Sequence, residues 1–594
     1  MKTTLLILSA CISGSLFAQE EIVKPDSDVL PRYLTEDEQR MMGTYYQNYQ
    51  FGTDRGIETA PGGNLRCAAE WEEVQTLVIT WTGQYNTIQS QIVDAAQEEC
   101  RVLIACSDSN NVKNTLSNNG VPDVNLDFLE VPYNSIWIRD YGPNTMYKND
   151  VDSLFVVDWI YNRPRPDDDV MPEQHAAWHN IPIYTTTQAP TDLVNTGGNW
   201  MSDGHGTAFA SELILDENDA GNPYQVTVKN EADIDNIMTD FMGISRYIKM
   251  PVLPYDQIHH IDMHMKLLDE ETLLVSEYPS GVADGPQIEA NLQYVLTTFN
   301  SMFGTPYKVV RITVPPSTGG NYPDNGGYYR TYANNVFINK TVLLPTYRTE
   351  YDTTAIRTLE EALPGYNIVG IDVDNGGQNL IQLSGAIHCI THTIGVADPM
   401  LITHQPLDDT YDVTNPYVVV ADIQHASGIA SATMYWSTTA GGPYTSVAMT
   451  PGSGINWAAN IPAQPAGTTV YYYVEGNANS GKTQVRPIVA PDGYWAFDIL
   501  GLGGIDELNN ITLNDVFPNP ASAITCIPVT AGSNIDGKIT LRDVTGKVIQ
   551  TIHDGTIPMG DSKYFFFAHE FAAGSYFVVI ETAETSITKK VMIR

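Results

Sequence analysis

Thr76-Leu77-Val78-Ile79-Thr80-Trp81, a helical pattern over Thr87–Glu99, and Arg101-Val102-Leu103-Ile104-Ala105 follow one another with little between them. Strand, helix, strand is the signature of an α/β fold, and the alternation continues from about Cys67 to Pro399. Inside this region, strand ends carrying carboxylates, amides or a cysteine recur at Trp137–Pro143, Gly197–Gly204, His259–Met265, Tyr332–Asn335 and Gly385–Cys389. They lie roughly 55 to 70 residues apart, which suggests a repeated unit arranged around a centre.

Outward from this region the pattern changes on both sides. Over residues 401–500, alternating strands such as Tyr417–Asp422, Thr433–Ser437 and Thr469–Glu475 are separated by turns such as Ala440-Gly441-Gly442-Pro443. Helical periodicity is absent there, and the stretch reads as an immunoglobulin-like β-sandwich. Gly501-Leu502-Gly503-Gly504 opens a flexible linker over 501–510. Residues 511–594 again form short strands, at Cys526–Pro528, Gly537–Asp543, Tyr564–His569 and Ser575–Glu581, a small all-β module. On the other side, residues 19–60 are polar and acidic, with Pro25, Pro31 and a charged helix-like Leu34–Arg40, and read as a removable or loosely packed pro-segment. Lys2 and the apolar stretch Leu5–Phe17 form a secretory signal peptide over 1–18, too short for a permanent span. Leu8-Ser9-Ala10-Cys11 also resembles a lipobox, though its apolar run is short. No later uncharged run reaches the roughly 18 residues of a spanning helix.

A chain of 594 residues exceeds one core and suits about three or four domains. Hydrophobic residues at 43% exclude wholesale disorder. Lys and Arg number 31 against 70 Asp and Glu, a formal net charge of −39. Too few cations remain to neutralise phosphates, which excludes a nucleic-acid partner and argues against an anionic membrane surface. Cationic and neutral substrates stay open. The cysteines are Cys11, Cys67, Cys100, Cys106, Cys389 and Cys526. With Cys11 removed in the signal the rest are odd in number, so no disulfide framework is apparent, and the lack of a C-x-x-C pair excludes thiol-rich zinc ribbons.

Four segments place titratable or amide groups in apolar surroundings. In Ser135-Ile136-Trp137-Ile138-Arg139-Asp140-Tyr141-Gly142-Pro143, Arg139 and Asp140 suit a structural ion pair as well as a site. In His259-His260-Ile261-Asp262-Met263-His264-Met265, an extended backbone puts His260, Asp262 and His264 on one face and Ile261, Met263 and Met265 on the other. A His and a carboxylate together suit general acid–base work or a metal, but no second His-rich pair completes a ligand set, and no metal or cofactor is expected. Asn334 and Asn335 open a third apolar strand. Cys389 sits in the fourth, Ser384-Gly385-Ala386-Ile387-His388-Cys389, where Gly385 and Gly376-Gly377 allow close backbone approach. A lone buried cysteine is an ordinary small hydrophobe, and His260 elsewhere in the chain makes it a candidate nucleophile.

Taken together, Trp137–Pro143, Gly197-Gly198-Asn199, His260-Ile261-Asp262, Tyr332-Ala333-Asn334 and Gly385–Cys389 resemble, in order, the guanidine-modifying superfamily, and within it the Porphyromonas-type peptidylarginine deiminase and agmatine deiminase group. The resemblance covers about Cys67 to Pro399. It implies a five-bladed α/β propeller (pentein) catalytic domain over 61–400 and a hydrolase acting on guanidine C–N bonds. A planar guanidinium with five donors wants facing carboxylates. By resemblance these are Asp140 and Asp262, with Cys389 attacking the central carbon and His260 protonating the departing ammonia before activating water. Asn334, or Asn335 if the doubled amide shifts the alignment by one, positions the cysteine. The bound cation should favour thiolate. The implied substrate contacts are Trp137, Gln257 and Ile258, although a Tyr often stands where Gln257 is. Arg163 and Arg165, stiffened by Pro164 and Pro166, resemble the segment that grips the C-terminal carboxylate of peptide substrates. An agmatine deiminase and an inactive surface-binding scaffold are the competing readings.

Val516-Phe517-Pro518-Asn519-Pro520-Ala521, Val544-Thr545-Gly546-Lys547-Val548, Gly574-Ser575-Tyr576-Phe577 and Thr588-Lys589-Lys590-Val591 resemble the C-terminal sorting domain of type IX secretion cargo. That implies a Bacteroidetes-type protein carried across the outer membrane by the type IX machinery, its tail removed or exchanged for a surface anchor.

Overall fold

The computed structural model describes residues 30–48, 55–375, 377–500, 511–521, 524–583 and 586–594. The expected signal peptide, the lipobox at Cys11, the linker over 501–510, Gly376 and the remainder of 19–60 lie outside these residues.

The α/β region repeats one unit five times. In each, a short strand runs antiparallel to a buried central strand, the chain crosses over through a helix, and a third strand joins the central one in parallel. The first three units are Asn144–Lys148, Leu154–Tyr161, Met171–His179 and Ile183–Thr186; then Met201–Ser202, Thr207–Ser211, Glu231–Met242 and Arg246–Met250; then Met265–Leu267, Thr272–Glu277, Gly285–Thr298 and Lys308–Thr313. The fourth is Val336–Ile338, Thr341–Thr346, Thr349–Ala362 and Asn367–Asp372. The fifth is shared between the two ends of the region. His392–Gly395 pairs with Val74–Thr80, which the helix Asn86–Ala96 connects to Arg101–Cys106. The central strands read as nearly continuous apolar runs because they are covered on both faces. Leu77, Val78 and Ile79 are fully buried.

What differs from the sequence reading is the backbone of the five polar segments. They are turns entering each short strand, not extended strand ends. Ile138–Tyr141 is a helical turn, Gly197–Asn199, Ile261–Met263 and His388–Ile390 are 3₁₀ turns, and residues 332–335 form a bend. The alternation assigned to His260, Asp262 and His264 therefore fails, since a two-residue period holds only in extended backbone. Asp262 is buried together with its neighbours Ile261 and Met263.

The other two expected regions form separate cores. Val419, Ala421 and Ile423 of one sheet meet Met434, Val470, Tyr472 and Val474 of another across a common apolar interior. Residues 511–593 enclose a third core around Ile527, Leu541, Phe566, Val578 and Val591. The segment 30–48 is not loosely packed. Its helix, Glu36–Asn48, starts with reciprocal hydrogen bonds between Thr35 and Glu38, a capping box, and buries Met42 and Tyr46 against Ile160, Val194 and Tyr224 of the α/β region.

Candidate active site

The five turns contact one another in a ring. Gly197 lies so close to the Arg139 carbonyl that no Cβ fits between them. Gly198 abuts Asp140 and His260, the Asn334 amide donates to the Asp262 carbonyl at 3.3 Å, the His388 N–H donates to the Asn334 carbonyl at 3.2 Å, and Arg139 Nε donates to the His388 carbonyl at 3.3 Å. This brings Asp140, His260, Asp262, Asn334 and Cys389 to one centre, although they span 250 positions of sequence.

A guanidinium from the chain itself occupies that centre. Arg32 of the N-terminal segment is fully buried. Its Nε donates to Asp140 Oδ2 at 2.9 Å and its Nη2 to Asp140 Oδ1 at 2.7 Å. The Asp262 carboxylate takes Nη1 at 3.3 Å and Nη2 at 3.1 Å, and Nη1 lies 2.6 Å from Cys389 Sγ. Two carboxylates thus clamp a planar cation edge-on while the thiol meets it, an arrangement of charge-assisted bonds matched to the guanidinium fork. Gly198 forms the wall opposite, and a Cβ there would overlap Arg32 Nη2.

The backbone on either side of Arg32 is held too. Trp137 Nε1 donates to the Leu30 carbonyl at 2.7 Å, Arg165 Nη2 to the Pro31 carbonyl at 2.7 Å, and Arg163 Nε to the Arg32 carbonyl at 3.1 Å. The Arg32 N–H donates to the Leu383 carbonyl at 3.0 Å. Arg165 also pairs with the Glu38 carboxylate at 2.7 Å. Trp137 is fixed by Gly385, where any Cβ would strike the indole ring.

Charge sets the state of each group. Burial is the largest influence and would raise Asp140 and Asp262, but Arg32 together with His260, and at Asp262 the His388 hydrogen bond as well, outweighs it, and both carboxyls lie below their usual range. Burial, with Arg32 adding, lowers His260 to about 3, so its ring is neutral. Among the described residues both ring nitrogens lack hydrogen-bond partners, and Nδ1 is 3.6 Å from Asp140 Oδ1. Burial raises the Cys389 thiol well above its ordinary value. Arg32 pulls it down, as expected of a bound cation, without overcoming burial and the two aspartates. Sγ lies 3.2 Å from Asn334 Oδ1 and accepts from the Ala386 N–H at 3.4 Å.

Several placements refine the sequence reading. Asn334 contacts the cysteine, whereas Asn335 donates to the carbonyls of Tyr332 and Ala333 within its own bend. His264 is buried, and among the described residues both its ring nitrogens are unpartnered, as those of His260 are. Ile258 is buried, its N–H on Asp256 Oδ1, while Gln257 is exposed. Arg32 itself, Glu70, Lys266 and the role of His388 were not foreseen. His388 Nδ1 meets Asp262 Oδ2 at 2.8 Å and Nε2 meets Glu70 Oε2 at 2.9 Å, and Glu70 is anchored by Lys266 at 2.6 Å. This chain fixes the Asp262 carboxylate. Only the adjacency of His388 to Cys389 pointed to it in sequence.

Known proteins resemble this chain in two regions. The sequence model of the Porphyromonas-type peptidyl-arginine deiminases matches residues 66–394, and that of the secretion system C-terminal sorting domain matches residues 515–594. The chain is 25% identical over 326 residues to a protein of Mycoplasma mycoides provisionally named agmatine deiminase, covering 50% of this chain and 83% of that one. A Lactococcus lactis protein of the same provisional name is 26% identical over 294 residues, with 44% and 75% covered. The X-ray structure of a provisionally named agmatine deiminase superposes with a TM-score of 0.50 at 21% identity, over 57% of this chain and 99% of that one, and shows a shared fold.

Proposed function

Because this chain belongs to the Porphyromonas-type peptidyl-arginine deiminase family and is a deiminase hydrolysing guanidino C–N bonds, we propose that it converts peptidyl arginine, preferentially at a peptide's C-terminus, to citrulline and ammonia. Residues 515–594 are a type IX secretion sorting domain, which directs export to the cell surface or beyond it. The five repeated sheets would be the blades of a propeller spanning 61–400, with an immunoglobulin-like sandwich over 401–500.

The single observation that carries the reading is the backbone contact set around a clamped arginine. Agmatine has no peptide carbonyl, and here Trp137, Arg165 and Arg163 each donate to one. Arg163 meets the carbonyl oxygen of the arginine itself, the atom that in a C-terminal arginine belongs to the carboxylate. Arg165 beside it already takes a carboxylate, that of Glu38, and has a buried Nη1 without a partner among the described residues. Arg32 is internal, and the capped turn that follows it brings back the carboxylate a terminal arginine would carry itself.

The contacts support a covalent route. Cys389 Sγ bonds to the guanidinium carbon, and its proton passes to neutral His260. The tetrahedral adduct, held by Asp140 and Asp262, breaks its C–N bond as His260 protonates the leaving nitrogen. Ammonia departs and a cationic thiouronium remains. Water, deprotonated by His260, then adds to that carbon, and the C–S bond breaks as the hydroxyl proton passes to sulfur, giving the ureido group of citrulline and the free thiol, while His260 returns its proton to solvent. Asn334 holds the sulfur in line. Citrulline formation measured on a peptide ending in arginine, the same peptide amidated, free arginine and agmatine tests the proposal. The peptide with a free carboxylate should be fastest. Agmatine turning over faster than either peptide would replace this reading with agmatine deimination, and no turnover of any guanidine would sink it.

A further inference from the structure

The guanidine site is filled by the chain's own arginine, and the segment that delivers it is built to stay. The capping box of Thr35 and Glu38 sets the helix immediately after Arg32. Met42 and Tyr46 anchor its apolar side, with the Tyr46 hydroxyl donating to the Tyr161 carbonyl at 2.8 Å. Glu38 is shared between the helix cap and Arg165. Residues 30–32 use the same groups that would hold a peptide substrate, and a tethered occupant competes at an effective concentration on the order of millimolar. Arg32, His260 and Cys389 are all fully buried. Arg32 Nη1, at 2.6 Å from Cys389 Sγ, fills the space beside the sulfur that an incoming guanidinium would need.

We propose that residues 30–48 are an intramolecular substrate mimic, with Arg32 as the pseudosubstrate, and that the chain is latent until this segment is displaced or cut away. The proposal rests on reading the centre as an arginine deiminase site. It also assigns Leu30, Pro31 and Arg32 as the template for the two residues preceding a substrate arginine and for that arginine itself, recognised through backbone carbonyls rather than through particular side chains.

The test compares the full chain with Arg32→Ala and with the pair Met42→Ala and Tyr46→Ala, which loosens the helix and keeps the arginine. Two rates are measured: alkylation of Cys389 by iodoacetamide, resolved by peptide mass spectrometry from the other buried cysteines, and ammonia release from a peptide ending in arginine. Arg32→Ala should accelerate alkylation on the order of tenfold or more, because the accessible form ceases to be the minor one. The helix pair should move it in the same direction by less. Equal alkylation in Arg32→Ala and the unchanged chain, both folded by circular dichroism, overturns the latency. If Arg32→Ala does not fold, the helix pair decides by the same measurement. Faster alkylation with no turnover of any guanidine leaves the latency standing and removes the deimination reading. Turnover with no change in either rate does the reverse.

Discussion

The two ends of the chain are held in opposite ways. The C-terminal stretch from 511 to 593 has its own apolar core, with Ile527, Leu541, Phe566 and Val578 buried among themselves. Among the described residues it meets the α/β region through Phe517, which packs on that region's apolar core, and through Lys563 Nζ, which donates to the Leu296 carbonyl at 3.1 Å. The N-terminal stretch from 30 to 48 has no core. It buries a cation, a carboxylate and two apolar side chains in places another region provides. A module that folds on its own can serve as a transferable address label. A segment that is ordered only by a site behaves as a ligand for that site.

The strongest way to separate the two ends acts on the sulfur. Cys389→Ala should release no ammonia from any arginine substrate, yet it keeps both carboxylates on Arg32, so the segment should stay protected from limited proteolysis. Asp140→Asn removes the partner of two Arg32 nitrogens and leaves a buried cation half paired, a change that costs about 3–5 kcal/mol. Proteolysis should then trim the segment while the tail is cut no faster, and turnover should be lost with it. Replacing both Arg163 and Arg165 by Ala removes contacts worth about 1.5–3 kcal/mol per charged hydrogen bond. Discrimination between free and amidated peptides should largely vanish in kcat/KM, while alkylation of Cys389 becomes no slower than in the unchanged chain, since both arginines also hold the docked segment.

Acid should act on one end only. Burial is the largest influence and would raise Glu38, but Arg165 and the hydrogen bonds from Thr35 together outweigh it and hold the docked carboxyl below its ordinary value. A carboxyl lowered by docking supports docking fully above its free value of about 4.3, and that support is lost as pH falls through the docked value. Protease sensitivity of the segment should therefore rise below about pH 4.3. The smallest effect expected is from deleting residues 515–594, which should change kcat by less than about twofold because no group of the site is drawn from the tail. A larger fall would break the comparison by showing that the tail supports the site.

Much of this was legible because it is written in neighbouring residues. The apolar runs of Val74–Thr80 and Arg101–Cys106, and the helical period between them, encode local structure, and the observed elements lie within a few residues of the expected ones. The third core's strands, such as Ile535–Asp543 and Gly574–Thr582, were readable for the same reason. The polar turns were misread as strand ends because short 3₁₀ turns leave no periodicity to detect. His264 was placed beside His260 by a period that a turn does not obey.

The sequence by itself determined the α/β alternation, the all-β regions after residue 400, and the residue types at Asp140, His260, Asp262, Asn334 and Cys389, since each rests on local pattern or a short motif. Only the tertiary structure decided that these five meet, that Asn334 rather than Asn335 faces the sulfur, that Glu70 and His388 hold Asp262, and that Arg32 fills the site. Arg32 lies 108, 230 and 357 positions from Asp140, Asp262 and Cys389. Nothing in Leu30-Pro31-Arg32-Tyr33 marks it, because an arginine's partners across such distances are set by which turns the sheets bring together, and no local pattern records that.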